Sequence, residues 1–361
     1  MRAEATNSKI NEPVDDEYVP ITPRRIQIGE HCNEHFGSDK DSFLKPLRSS
    51  THLAKSNDWE KVRRNLNSDG YIFFRELISR EKVLRAKSFL LDDLNSRGIL
   101  EEREGGILKA NCGIHCVPFM EGVNDLTHSN ELLDIFEGDE LVNAFKNILN
   151  VPDVKTFDFK WLRAVPNAKY TGIHCDAVYM SRGSKNLLTC WIPLGDTPLE
   201  MGGLCMCESS HSDENFRKLR STYGKLDHEK DKLDGSGWFS IDPKEITQLF
   251  GGQWRSADFL AGDALIFTMH TLHMSTTNVT NIARLSADVR FQPASDEIDA
   301  RYMGKDRIRE WLKGVPEAGM YADEAHTDDA KKGEEDATKK ITMKSLREAW
   351  GYPMDENKIC V

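Results

Sequence analysis

Apolar and polar positions follow two rhythms along this chain, helical before about residue 150 and β-like after it. From Asn57, the run NDWEKVRRNLNSDG spaces Trp59, Val62 and Leu66 for one helical face between a capping polar residue and an Asp-Gly stop. YIFF at 71–74 reads as a short buried strand. SREKVLRAKSFLLDDLNSRG then places Val83, Ala86, Leu90 and Leu94 on one face of a second helix that stops at Gly98. ELLDIFEGDELVNAFKNILN predicts a further helical pair broken near Gly138.

Beyond residue 150 the apolar runs shorten to strand length and are parted by turn residues: TFDFKWLRAV, GIHCDAVYM, NLLTCWIPL, GGLCMC, DALIFTM and ARLSADVRF. Several such strands at moderate spacing predict a sandwich or barrel. A polar insert at 213–256 interrupts them, and its Trp238, Phe239 and Trp254 favour an ordered cover, read either as a lid over a site or as a decoration. Residues 1–55 show no clear period and are expected to form an N-terminal arm without chemistry. Residues 56–295 form the domain, and 296–361 a helical and charged C-terminal extension in which KDRIREWLKG is the helix and DEAHTDDAKKGEEDATKK a solvated connector.

Composition narrows the function classes. The 361 residues are 39% hydrophobic and 30% charged, as in a folded globular protein. A net charge of −11 disfavours nucleic acid and anionic lipid as partners. No run approaches the roughly 18 apolar residues of a membrane span, and MRAEATNSKINEPVDDEY has no apolar signal core, so a cytoplasmic protein is expected. The eight cysteines are then reduced thiols rather than a disulfide framework. Cys112, His115 and Cys116 could form half a zinc site, but no second half is evident.

Candidate chemistry begins with His174 and Asp176 in TGIHCDAVYM. Two apart on a strand, they face one side while Cys175 points away, and so could converge on a metal. Two similar triplets are less favourably set. His211 with Asp213 opens the polar insert, and His326 with Asp328 lies in the charged connector. A third ligand would come from GDALIFTMHTLHMSTTN, where either His270 or His273 could bind. The strand ARLSADVRF puts Arg284, Ser286, Asp288 and Arg290 on one face and Leu285, Ala287, Val289 and Phe291 on the other. If the apolar face packs on helices, Arg284 points inward, where a guanidinium needs an anion. Two histidines, a carboxylate and a buried arginine on a β scaffold match non-haem Fe(II) oxygenases.

The ordered series KWLRAVP, TGIHCDAVYM, TCWIPLGD, GGLCMCESSHS, GDALIFTMHTLHMSTTN and IARLSADVRFQP resembles the phytanoyl-CoA dioxygenase family of Fe(II)- and 2-oxoglutarate-dependent oxygenases, over roughly residues 57–293. The resemblance implies a mainly β fold with flanking helices, built on a double-stranded β-helix or cupin-like jelly roll. It implies His174, Asp176 and His273 as iron ligands, the last because x-Ser-x-x-Asn follows it in HMSTTN, with His270 left as a structural neighbour. Arg284, eleven positions after His273, corresponds to the arginine that binds the distal carboxylate of 2-oxoglutarate, with Ser275 as its hydroxyl partner, Trp191 beside the cosubstrate and Thr189 on the same strand face. His211 falls in the family's Gly-Ser-His loop, here with Ser209 in place of glycine.

The implied reaction is hydroxylation by O₂ with release of succinate and CO₂, ascorbate serving as reductant in vitro. The Asp176 ligand argues against halogenation. No Lys/Arg cluster offers itself to an acyl-CoA, so a small metabolite is the expected substrate. Arg163, Tyr179, Met180 and Arg182 are candidate lining residues by their nearness to the ligand strands. The competing readings are a metal-dependent cupin-like isomerase or hydrolase, which would not need Arg284 with Ser275, and a non-catalytic binding protein on the same fold.

Overall fold

Asp58 accepts a hydrogen bond from the Lys61 amide and Gly70 closes the last turn with φ +83°, which bounds the helix Trp59–Asp69 where the sequence pattern begins and stops. The helices Arg80–Ser96, Asn130–Phe136 and Asp139–Leu149 also fall where the pattern predicts them, the last two parted at Gly138, although none has a side-chain hydrogen bond at its N-cap. The computed structural model describes residues 18–30, 32–109, 117–120, 126–314 and 341–353. Cys112, His115, Cys116, His326 and Asp328 lie outside the described residues.

In chain order the strands are β1 Arg24–Ile28, β2 Cys32–Phe36, β3 Leu44–Pro46, β4 Tyr71–Phe74, β5 Leu100–Glu102, β6 Ile107–Leu108 and β7 Val117–Met120. After them come β8 Val154–Thr156, β9 Trp161–Val165, β10 Leu188–Pro193, β11 Leu204–Cys207, β12 Trp254–Ser256, β13 Ala264–Thr268, β14 His273–Ser275 and β15 Arg284–Pro293. One sheet has the order β4-β13-β10-β15-β9-β7, with β8 also paired to β15; the other has β1-β2-β3-β12-β11-β14. From β9 onward the chain passes repeatedly between the two sheets, and His174 extends the second through a bridge to His273 beyond β14. This is a double-stranded β-helix, the jelly-roll arrangement in which two facing sheets enclose a site.

Side-chain parity sorts the first sheet into two faces. Ile72, Phe74, Leu162, Ala164, Cys190, Ile192, Ile266, Leu285, Ala287, Val289 and Phe291 share one apolar core with the four helices named above. The Phe145 ring stacks on Phe291 with centroids 4.2 Å apart. The opposite face turns toward the second sheet and carries Trp191, Leu265 and Phe267 against Leu204, Met206 and Phe259. On β15 that inward face is polar: Arg284, Ser286, Asp288, Arg290 and Gln292 are all buried.

Three segments do more than the sequence reading expects. Residues 24–46 of the expected N-terminal arm supply β1, β2 and β3, continuing the second sheet past β12. Strands of three to five residues are too short to show a period, which hid them. The insert 213–256 ends in β12, a strand of that same sheet, and carries the helix Pro243–Phe250. Its Phe239 and Trp254 are buried in the core beyond the sheet. The C-terminal helix Met343–Ala349 docks on this insert through Arg347, whose guanidinium meets Glu245 at 2.6 and 3.1 Å with both side chains buried.

Candidate active site

His174 is extended and Asp176 is not. His174 sits in a single antiparallel bridge to His273, whereas Asp176, with φ −64° and ψ −22°, begins the short helix Ala177–Met180. The two side chains therefore converge because the chain turns between them, and strand parity, the reason expected from sequence, does not operate here. Cys175 points away into the core, as expected.

His273 arrives from β14. Its Nε2 lies 3.7 Å from Asp176 Oδ1, and His174 Nε2 lies 3.9 Å from the same oxygen. The imidazole centroids are 4.1 Å apart. The three ligand atoms fall within 4.8 Å of one another, and among the described residues no other group of three His, Cys, Asp or Glu is so arranged. Each imidazole is oriented from behind. His174 Nδ1–H donates to the Gly172 carbonyl at 2.9 Å and His273 Nδ1–H to the Thr271 carbonyl at 3.1 Å, so both Nε2 lone pairs face Asp176.

Electrostatics keep this donor set in its metal-binding form. Burial, reinforced by the neighbouring His273, pulls His174 down to about 3, and burial pulls His273 below its usual range. Both imidazoles are thus neutral near pH 7. Burial pushes the Asp176 carboxyl up, but the Arg290 guanidinium, the two neighbouring histidines and the Thr189 hydroxyl together outweigh it and hold the group well below the usual carboxylate range. Asp176 Oδ2 accepts from Thr189 Oγ1 and, at 3.3 Å, from Arg290 Nη2.

Arg284 lies a few residues away at the start of β15, 1% exposed, with Nη1 donating to the Gly202 carbonyl at 2.9 Å. Its guanidinium carbon is 5.8 Å from the centre of the Trp191 ring. Among the described residues, the buried Trp191 Nε1–H meets no acceptor and the buried Ser286 hydroxyl finds no partner. An orphaned indole donor beside a buried cation is what an anionic ligand would satisfy, so these residues fit a carboxylate-bearing cosubstrate. Ser275, on the inward face of β14, accepts the Thr171 amide at 2.8 Å.

The cavity above the triad is lined by Trp161, Arg163, Thr171, His174, Asp176, Tyr179, Met180, Ser236, Trp238, Arg290, Tyr302 and Trp311. Of the lining candidates from sequence, Arg163, Tyr179 and Met180 are on this wall. Arg182 is not: its guanidinium is held away in a bidentate pair with Asp227 at 2.5 and 2.6 Å. Thr189, expected beside the cosubstrate, spends its hydroxyl on Asp176. His211 is turned to the Asn67 carbonyl and His270 lies against Gly224, so neither joins the triad. Sequence reading missed Arg290, although the alternation of ARLSADVRF already placed it on the Arg284 face. It also missed Tyr302 and Trp311, which the C-terminal extension contributes and no motif signals.

Residues 66–286 match the phytanoyl-CoA dioxygenase (PhyH) family. The chain belongs to this family. It is an oxygenase and hence an oxidoreductase, and the expected family and jelly-roll fold are both borne out. A similar protein is the 1-deoxypentalenic acid 11-beta-hydroxylase of Streptomyces exfoliatus, 24% identical over 282 residues, covering 73% of this chain and 89% of the relative. Solved structures of similar fold include the epimerase SnoN in complex with Fe3+, alpha ketoglutarate and nogalamycin RO, with a TM-score of 0.47, 17% identity, and coverage of 67% of this chain and 86% of that one. AviO1 from Streptomyces viridochromogenes Tue57 aligns with a TM-score of 0.45 and 15% identity, over 66% of this chain and 96% of that one. Among the described residues, no helix is long and apolar enough to cross a membrane.

Proposed function

We propose that this oxygenase is an Fe(II)- and 2-oxoglutarate-dependent hydroxylase of a small-molecule metabolite, acting in the cytoplasm and releasing succinate and CO₂. The observation that carries the reading is the conjunction of a buried His174, Asp176 and His273 triad with the Arg284 guanidinium and the unsatisfied Trp191 Nε1–H. Two imidazole nitrogens and one carboxylate oxygen suit a non-haem Fe(II) centre with open positions. The 1-deoxypentalenic acid 11-beta-hydroxylase, by its name a hydroxylase of a small molecule, supports the choice of reaction and substrate class.

Iron and 2-oxoglutarate, once bound, supply the oxidation of a substrate C–H bond by O₂. The chain's own residues orient and insulate that chemistry. Gly172 and Thr271 carbonyls fix the two imidazole tautomers. Arg284 and Trp191 would hold the distal carboxylate of the cosubstrate, with Ser275 close by on β14. Trp161, Tyr302 and Trp311 form a continuous aromatic wall, Tyr302 lying 5.1 Å from Trp161 and 5.0 Å from Trp311 between ring centroids, against which an apolar substrate body can rest. Residues 56–295 serve as the catalytic domain, and the extension from 296 completes its cavity.

Purified protein incubated with Fe(II), ascorbate and 2-oxoglutarate in air should produce succinate slowly even without the substrate, and Asp176→Ala and Arg284→Ala should not. A protein that yields no succinate and, titrated anaerobically with Fe(II) and 2-oxoglutarate, gives no metal-to-ligand charge-transfer band would refute the proposal.

A further inference from the structure

Arg290 takes no part in the chemistry proposed above, yet its guanidinium donates directly to a member of the His174, Asp176 and His273 triad. It is 3% exposed, its guanidinium carbon lies 4.0 Å from the centre of the Trp161 ring, and Nη1 reaches the Asp288 carbonyl at 3.4 Å. Its Nη2 donates to Asp176 Oδ2 at 3.3 Å, and Thr189 Oγ1 donates to that same oxygen. The other oxygen, Oδ1, is the one turned toward both histidine Nε2 atoms. The two oxygens of this carboxylate are thus assigned to different neighbours.

We infer that Arg290 is a positioning residue for the metal centre: together with Thr189 it occupies Oδ2 of Asp176, so that the carboxylate meets a divalent cation through Oδ1 alone. The inference rests on the metal-centre reading above and deepens it. A carboxylate with both oxygens available can chelate a cation and take two of its coordination positions. A metal held by His174, His273 and a single oxygen of Asp176 would keep more positions open for cosubstrate and O₂ than one that engages both oxygens. The stack on Trp161 and the bond to the Asp288 carbonyl hold the guanidinium behind Oδ2. Arg163, paired with Asp288 at 2.6 Å, braces the same corner from β9.

Anaerobic titration with Co(II), an optically visible stand-in for Fe(II), tests this without relying on turnover. Wild type, Arg290→Gln, Arg290→Lys and Thr189→Val are compared for dissociation constant and for the intensity and position of the ligand-field bands. Loss of a group that orients a metal ligand weakens affinity by about 10- to 100-fold, and that range is expected for Arg290→Gln, with a smaller loss for Thr189→Val and partial recovery in Arg290→Lys. The bands should shift in the first two variants as the carboxylate changes its binding mode. Thr189→Val removes one donor at nearly constant shape, so it keeps the test open should Arg290→Gln fail to fold. Wild-type affinity and spectrum in both variants would overturn the inference and leave the metal centre standing. Co(II) binding that Asp176→Ala does not alter would overturn the metal centre itself, and the inference with it.

Discussion

His174 and His273 are paired through their backbones as well as their rings. The His174 amide donates to the His273 carbonyl at 3.0 Å, and the His273 amide returns a bond to the His174 carbonyl at 2.9 Å. This is the closed, two-bond pair of an antiparallel ladder, and it sets both side chains on one face of the sheet. The spacing of the two Nε2 donors is therefore a property of the sheet. It does not depend on a metal to draw the histidines together.

Arg284→Lys should separate cosubstrate binding from metal binding. A lysine keeps the charge but loses the planar fork that pairs with a carboxylate, a loss of about 1.5–3 kcal/mol or roughly 10- to 150-fold. The expected outcome is a KM for 2-oxoglutarate raised within that range, with kcat nearly unchanged and Co(II) affinity as in wild type. Steady-state succinate formation and metal titration on the same preparation check it.

The metal-free protein should lose stability as pH falls below the ordinary histidine value. Burial depresses His174, His211, His270 and His273, so each stays neutral in the folded chain where the unfolded chain would protonate. The unfolded state then binds more protons, and stability rises with pH across that interval. For His174 the window runs from about 3 to the reference value of 6.5, with a slope of up to about 1.4 kcal/mol per pH unit. Above it the histidine contribution is flat. Urea melts in EDTA at pH 5, 6, 7 and 8 should give rising midpoints that level off between the last two.

Phe145→Ala should weaken the fold without touching the centre. The ring stacks on Phe291 at the outer face of β15, and its removal should cost about 3–5 kcal/mol. Co(II) affinity measured well below the melting transition should match wild type, because the inward face of β15 carries the polar residues. A tenfold loss of metal affinity would show that the two faces of this strand are not independent.

Arg347→Met should destabilise the protein by about 3–5 kcal/mol, since it leaves the buried Glu245 carboxylate without its cation. Replacing Glu245 by leucine in the same chain should recover most of that loss. A double-variant series in chemical denaturation checks the sign. A single variant within about 1 kcal/mol of wild type would mean that the C-terminal helix is not anchored on the insert by this pair.

Much of this architecture is legible in the sequence, and the reasons are local. Helix Trp59–Asp69 announces itself through Asp58, a three- and four-residue apolar spacing and Gly70. The strand Arg284–Pro293 shows its two faces by alternation, because a half-polar strand must sort its side chains by parity. The candidate ligand histidines stand out through the order of motifs, which survives at distances where single triplets mean little. Strands β1 to β3 were not readable, since strands this short have no period and are held by neighbours remote in the chain.

What the sequence determined by itself is the set of parts: which segments are helical or extended, which face of β15 is polar, and which residues have metal-binding chemistry. What the tertiary structure decided is their encounter. Asp176 joins His174 through a turn that parity does not foresee, and Arg290 reaches Asp176 from a strand 114 positions away. Tyr302 and Trp311 line the cavity because the C-terminal extension folds back over it. Backbone propensity acts over a few residues and leaves its mark in the sequence. The pairing of distant groups is chosen by packing and desolvation in the folded state, where a buried charge must find its partner wherever the chain has carried it.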